Sequence, residues 1–205
     1  MASDFISIIG TVALTKFTGP AFEDIGKAAW ERAKQLGKVA YQHLTAVGRE
    51  PTVVDPKTLI PLVQAASLET DATIAYKWAA LLANAADPVA KVQVEPGYIE
   101  VLRQLTPADA QVLELLYRTI RPDDRDALYW ESAPIRTEGM AEQLGLSLKQ
   151  FAICIDTLIR LRLCAVPTPR RERKELLSIT PAAAYQVCPT MSGREFLLAC
   201  TPPTE

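Results

Sequence analysis

Apolar residues recur along this chain mostly at three- and four-residue intervals, the spacing of one face of an α-helix. Between residues 22 and 48 the series Phe22, Ile25, Ala29, Leu36, Ala40, Leu44 and Val47 predicts one long amphipathic helix. Small residues run along the same helix at Gly26, Ala29, Ala33, Gly37 and Ala40. Such a stripe lets another backbone approach closely. It predicts tight packing within the monomer, with a homo-oligomer seam or a membrane-inserting helix as the alternatives. Gly48 ends the helix, and 49–56, with Pro51 and Pro56, is a linker.

A helical hairpin follows, over Lys57–Leu68 and Asp71–Ala86, with Ile74, Trp78, Leu81 and Leu82 on one face of its second helix. Asp87-Pro88 stops that helix, because proline disfavours the helical conformation in the residue before it. A shorter helix is expected over Tyr98–Leu105. Thr106-Pro107-Ala108-Asp109 is a helix start: a capping hydroxyl, a proline at the first helical position and a carboxylate at the dipole's positive end. The segment 122–136 reads as an irregular loop.

The last part has the order of a winged helix. A short helix over Thr137–Leu144 is ended by Gly145. Ser147 and Gln150 form a capping-box pattern, and Leu148, Phe151, Ile155, Leu158 and Ile159 form the expected buried stripe of the next helix. Leu163–Val166 reads as a strand, 167–174 as a basic turn, Glu175–Ile179 as a returning strand and Gly193–Cys200 as a final helix. The fold class expected is therefore mainly α. An N-terminal helical region (1–50) and a helical hairpin region (51–105) precede a winged-helix-like domain (106–205) with a small β wing.

Composition narrows the function. The chain has 205 residues, 49% of them hydrophobic and 22% charged, enough for a buried core without disulfides or metal. A net charge of −2 disfavours a strongly cationic nucleic-acid binder. The single histidine, His43, excludes chemistry that needs several, and it has no catalytic context. Gly19 and Gly26-Lys27-Ala28 resemble a phosphate loop only in part. Six residues separate the glycines, and Ala28 stands where a hydroxyl must reach the magnesium ion. Cys154, Cys164, Cys188 and Cys200 form no C-x-x-C pair, which predicts buried free thiols in a reducing cytoplasm. Asp123, Asp124 and Asp126 read as a solvated turn, since the glycine and glutamate of a calcium loop are missing. No catalytic, cofactor or metal residues are assigned. The run from Phe5 to Thr15 is too short to span a bilayer, although membrane contact by residues 5–48 remains an alternative.

Nucleic-acid contact would fall to Lys149, Arg160, Arg170, Arg171, Arg173 and Lys174. Asp156 lies on the same face as Lys149 and would repel a duplex, and Ile153 is apolar there. A protein-contact or purely structural winged helix is favoured over DNA binding.

Several blocks then resemble a known family. Pro56-x4-Pro61-Leu62-Val63-Gln64-Ala65-Ala66-Ser67-Leu68-Glu69 and Trp78-Ala79-Ala80-Leu81-Leu82-Ala83-Asn84-Ala85-Ala86-Asp87-Pro88 look like the bacterial abortive-infection alpha (Abi-alpha) family. The resemblance continues through 96–110, Asp156-x-Leu158-Ile159-Arg160-Leu161-x-Leu163 and Ser192-Gly193-Arg194-Glu195-Phe196-Leu197-x-Ala199-Cys200. It implies a phage-defence protein in which infected cells stop growing before phage matures. It supplies no catalytic residue. The expectation is a non-enzymatic protein acting through a protein partner or self-association. A winged-helix transcription regulator and a membrane-disrupting effector are the alternatives. Glu69, Asn84 and Asp87 are the candidate polar interaction surface.

Overall fold

The second helix of the expected hairpin, Ala72–Ala86, is enclosed nearly all round. Asp71 caps it, its carboxylate accepting from the backbone N–H groups of Thr73 (2.8 Å) and Ile74 (3.1 Å). The expected apolar face is buried, and so are Ala79, Ala80, Ala83 and Lys77. Trp78 is 1% exposed. Truncating a buried ring of this size typically costs about 3–5 kcal/mol.

This computed structural model describes residues 4–9, 23–90, 92–120, 134–167 and 186–204. They fall into two compact units: 1–104 with Leu198–Glu205, and Leu105–Leu197. The described elements are mainly helical, with one small antiparallel sheet.

The first unit begins with α1 (residues 4–9) and α2 (Glu23–Ala46). It continues with α3 (Pro56–Ala66), α4 (Ala72–Ala86) and α5 (Pro96–Leu102). α2 packs along α4. Ala29, Ala33, Gly37 and Ala40 of the small-residue stripe are all buried, so these positions serve intramolecular packing. A β-carbon at Gly37 would meet the Ile9 side chain of α1 at 3.4 Å. Gly48 takes a left-handed φ of 70° just beyond α2, which a side chain would resist. α3 starts on Asp55, whose carboxylate accepts from Lys57 N–H at 2.8 Å. It contains Pro61, which removes one backbone donor from its ladder. α5 starts two residues before the expected Tyr98, because Pro96 pre-sets the first helical φ, and it ends at Leu102 rather than Leu105.

The second unit contains α6 (Pro107–Arg118), β1 (Ile135–Arg136), α7 (Met140–Gln143), α8 (Leu148–Arg160), β2 (Cys164–Ala165) and β3 (Gln186–Pro189). Most of α9 (Met191–Ala199) follows. Both predicted caps form. Thr106 and Asp109 satisfy each other's backbone N–H at the start of α6, as do Ser147 and Gln150 at α8. Gly145 holds a φ of 66° and closes the turn before α8. α6 packs on α8.

The sheet order is β1-β3-β2, with Ile135 paired to Val187 and Ala165 to Cys188. β1 and β3 were not predicted. Two and four residues are too few to set a period, and their partners lie far along the chain. Apart from Pro167, the expected basic turn at 167–174 lies outside the described residues, as do the expected strand at Glu175–Ile179 and the 123–126 turn. The expected stripe of α8 needs two corrections. Leu148 is 69% exposed, since it opens the helix before the buried side begins, and Ile159 is only half-buried, while Cys154 joins the core.

A polar cluster holds the second unit's strands to α6. Tyr117 accepts from Thr190 N–H (3.0 Å) and donates to the Leu163 carbonyl (2.7 Å). The Thr190 hydroxyl donates to the Arg162 carbonyl (2.7 Å) and accepts from Gly193 N–H (3.0 Å), capping α9.

Candidate functional site

Glu69 stands in the turn between α3 and α4. Its Oε1 accepts from the backbone N–H groups of Thr70 and Asp71, both at 2.8 Å, so the carboxylate shapes the turn. It also lines a cleft of about 240 Å³ with Gln64, Leu68, Trp78 and Arg103. On the other side of the turn it borders an apolar groove of about 270 Å³, formed by Leu36, Val39, Ala75, Tyr76 and Ala79.

Asn84 and Asp87 lie at the opposite end of α4, more than 15 residues from Glu69 in the case of Asp87. At 1.5 Å per residue, the helix alone separates Glu69 from this pair by about 20 Å. The three residues therefore do not share one small surface. Asn84 is 7% exposed and donates both amide protons inward, to the carbonyls of Ala199 (2.9 Å) and Thr201 (2.7 Å). Asp87 receives Arg49 Nη1 at 2.6 Å and the N–H of Val89 at 3.0 Å. Arg49 in turn donates through Nη2 to the Thr204 carbonyl at 3.0 Å. The Asp87 side chain is 1% exposed. Removing either member of such a pair leaves an uncompensated buried charge. Both residues border a hollow of about 380 Å³ with Asp55, Thr58 and Gln93, but the Asn84 amide is taken up by Ala199 and Thr201, and the Asp87 carboxylate by Arg49 and Val89.

Lys149 and Arg160 are both exposed on α8, eleven residues apart and therefore nearly aligned along one face. Asp156 lies between them, also exposed, and Ile153 is 55% exposed. Arg170, Arg171, Arg173 and Lys174 lie outside the described residues.

The family model described as Abortive infection alpha matches residues 31–200, the greater part of the chain. The chain belongs to the abortive infection alpha family. No curated protein and no solved structure matches it.

In this abortive infection alpha protein the four cysteines are free and buried, as expected. Burial pushes the thiols of Cys164 and Cys200 up to about 12. Cys154 is also pushed to about 12, by burial first and then by its hydrogen bond to the Asp109 carboxylate. Burial raises Cys188 as well. Thiols held protonated in this way are poor nucleophiles at neutral pH. His43 packs edge-on against Tyr76 with ring centroids 5.0 Å apart. Its Nε2 is buried without a hydrogen-bond partner, and desolvation lowers its pKa below 6.5. It is a neutral packing group. No cluster of metal-ligating side chains occurs among the described residues, and no described helix is long and apolar enough to cross a membrane.

Sequence reasoning missed three positions. Lys77 is a charged residue inside α4 that is only 5% exposed, and its helical spacing resembles that of a surface lysine. Arg49 lay in an unassigned linker. Tyr117 carried no signal beyond its place on α6.

Proposed function

We propose that this chain is a bacterial phage-defence protein of the abortive-infection type that works through protein contacts rather than catalysis. Membership of the abortive infection alpha family carries the reading. We further infer that the second unit is a winged helix. The succession α6, β1, α7, α8, β2, β3 and the sheet order β1-β3-β2 support that assignment.

In a winged helix, α8 would be the helix offered to a duplex. Its outward face carries an acidic group and an exposed isoleucine at its middle. Phosphate contact needs cations and hydrogen-bond donors there. An exposed apolar side chain between charges suits another protein surface better.

The test is a phage challenge of bacteria expressing the chain, at low and high phage dose. Fewer plaques, with the culture collapsing only at high dose, is the expected result. Normal plaque numbers across diverse phages would refute the defence reading. A parallel titration with duplex DNA separates the regulator reading. Binding that weakens steeply with salt would favour it, because phosphate contacts release counterions.

A further inference from the structure

The outward face of α8 has the form of one half of a symmetric helix pair. Its exposed line is Lys149, Ile153, Asp156 and Arg160. Steps of four, three and four residues are those of a coiled-coil seam. The seam faces solvent, with Ile153 55% exposed. The neighbouring Ala152 is exposed too and adds no bulk that would hold a second helix away. Lys149 and Asp156 enter no ion pair among the described residues.

The charges are arranged so that the face complements itself. At 1.5 Å per residue, Lys149 lies about 6 Å to one side of Ile153 and Asp156 about 4.5 Å to the other. A two-fold axis at Ile153 would set Lys149 opposite the partner's Asp156, once on each side of the axis. It would also bring the two isoleucines together at the centre. The alternative register, centred between Ile153 and Asp156, would oppose Lys149 to the partner's Arg160. That arrangement juxtaposes like charges, so charge selects the first register.

We propose that α8 is a self-association surface, on which two copies of this chain pair antiparallel around Ile153. The proposal rests on the contact-based reading above and names the partner as a second copy. One helix pair lies at the small end of interfaces, below about 1,200 Å², so the dimer is weak and concentration-dependent.

Sedimentation equilibrium of the full chain at rising concentration tests it. The proteins compared are wild type, Lys149→Glu, Asp156→Lys and the double swap, with circular dichroism to verify folding. Wild type is expected to show a monomer–dimer equilibrium. Each single swap should weaken it about tenfold, since every substitution acts twice across the axis, and the double swap should recover it. Ile153→Lys should be monomeric. A wild type that stays monomeric would overturn the proposal, as would a double swap no better than the singles. Tight duplex binding by a monomer that fails to dimerise would assign the face to DNA instead. Phage protection is scored on the same variants. Dimerisation that follows the swap cycle without any protection refutes the defence reading alone, and protection by a strict monomer refutes the pairing alone.

Discussion

Replacing Asn84 with alanine separates a structural role from an interaction role, and its size follows from the geometry. The amide nitrogen faces two acceptors, the carbonyls of Ala199 and Thr201, so the NH2 end must point at them. A net hydrogen bond contributes about 1 kcal/mol, and a buried acceptor left without a partner costs about 1–3 kcal/mol. Ala199 is fully buried, so its carbonyl cannot turn to water, whereas Thr201 is exposed and can. Loss of the first bond then costs about 2 kcal/mol and of the second about 1 kcal/mol, close to 3 kcal/mol together. In a chain of this size that lowers Tm by about 6–12 °C. Differential scanning calorimetry reads the change. Asn84→Asp should be at least as damaging, because it points carboxylate oxygens at two carbonyls. If either variant melts within about 2 °C of wild type while losing phage protection, the structural account is refuted, because lost hydrogen bonds of this kind cannot be thermally silent.

Gly193→Ala should destabilise by about 2–4 kcal/mol, because the added methyl would sit inside the Leu163 carbonyl and the Tyr117 hydroxyl. Chemical denaturation measures it, and adding Tyr117→Phe should not restore wild-type stability, since the carbonyl stays in place and the hydroxyl's own hydrogen bonds to Leu163 and Thr190 are lost. The thiols give a pH signature. Cys154, Cys164 and Cys200 are raised from 9.0 to about 12, so the folded chain holds protons that the unfolded chain releases. Their contribution is complete below pH 9 and falls as pH rises towards 12, which a stability series over that range would detect. At neutral pH, a thiol-reactive dye should label the native protein only as it opens.

What was legible in the sequence was local. Thr106 with Asp109 and Ser147 with Gln150 mark helix starts because capping is settled within four residues. Trp78, Leu81 and Leu82 announce a core helix through their period. The same period hides how completely α4 is enclosed, because alanine on its other faces signals neither burial nor exposure. β1 and β3 are held by partners about 50 residues apart, which no short window contains. The candidate surface of Glu69, Asn84 and Asp87 was drawn from polar residues in one recognisable block. Sequence shows that Asn84 and Asp87 are polar, but not that Arg49 and the final residues satisfy them. Ile153 was the reverse case. An apolar residue on a face of Lys149, Asp156 and Arg160 stands out by spacing alone, and the structure leaves it exposed.

The first unit is assembled from two stretches of chain, with its last strip, Leu198–Glu205, arriving after the whole second unit. That order matters during synthesis. A nascent chain makes residues 1–104 first, but the carbonyls that receive Asn84 and Arg49 belong to Ala199, Thr201 and Thr204. Until those residues leave the ribosome, Asn84 lacks both of these acceptors and Arg49 lacks one of its two. The unit made first is thus the last to be sealed, and a prematurely terminated chain would leave its N-terminal half unfinished.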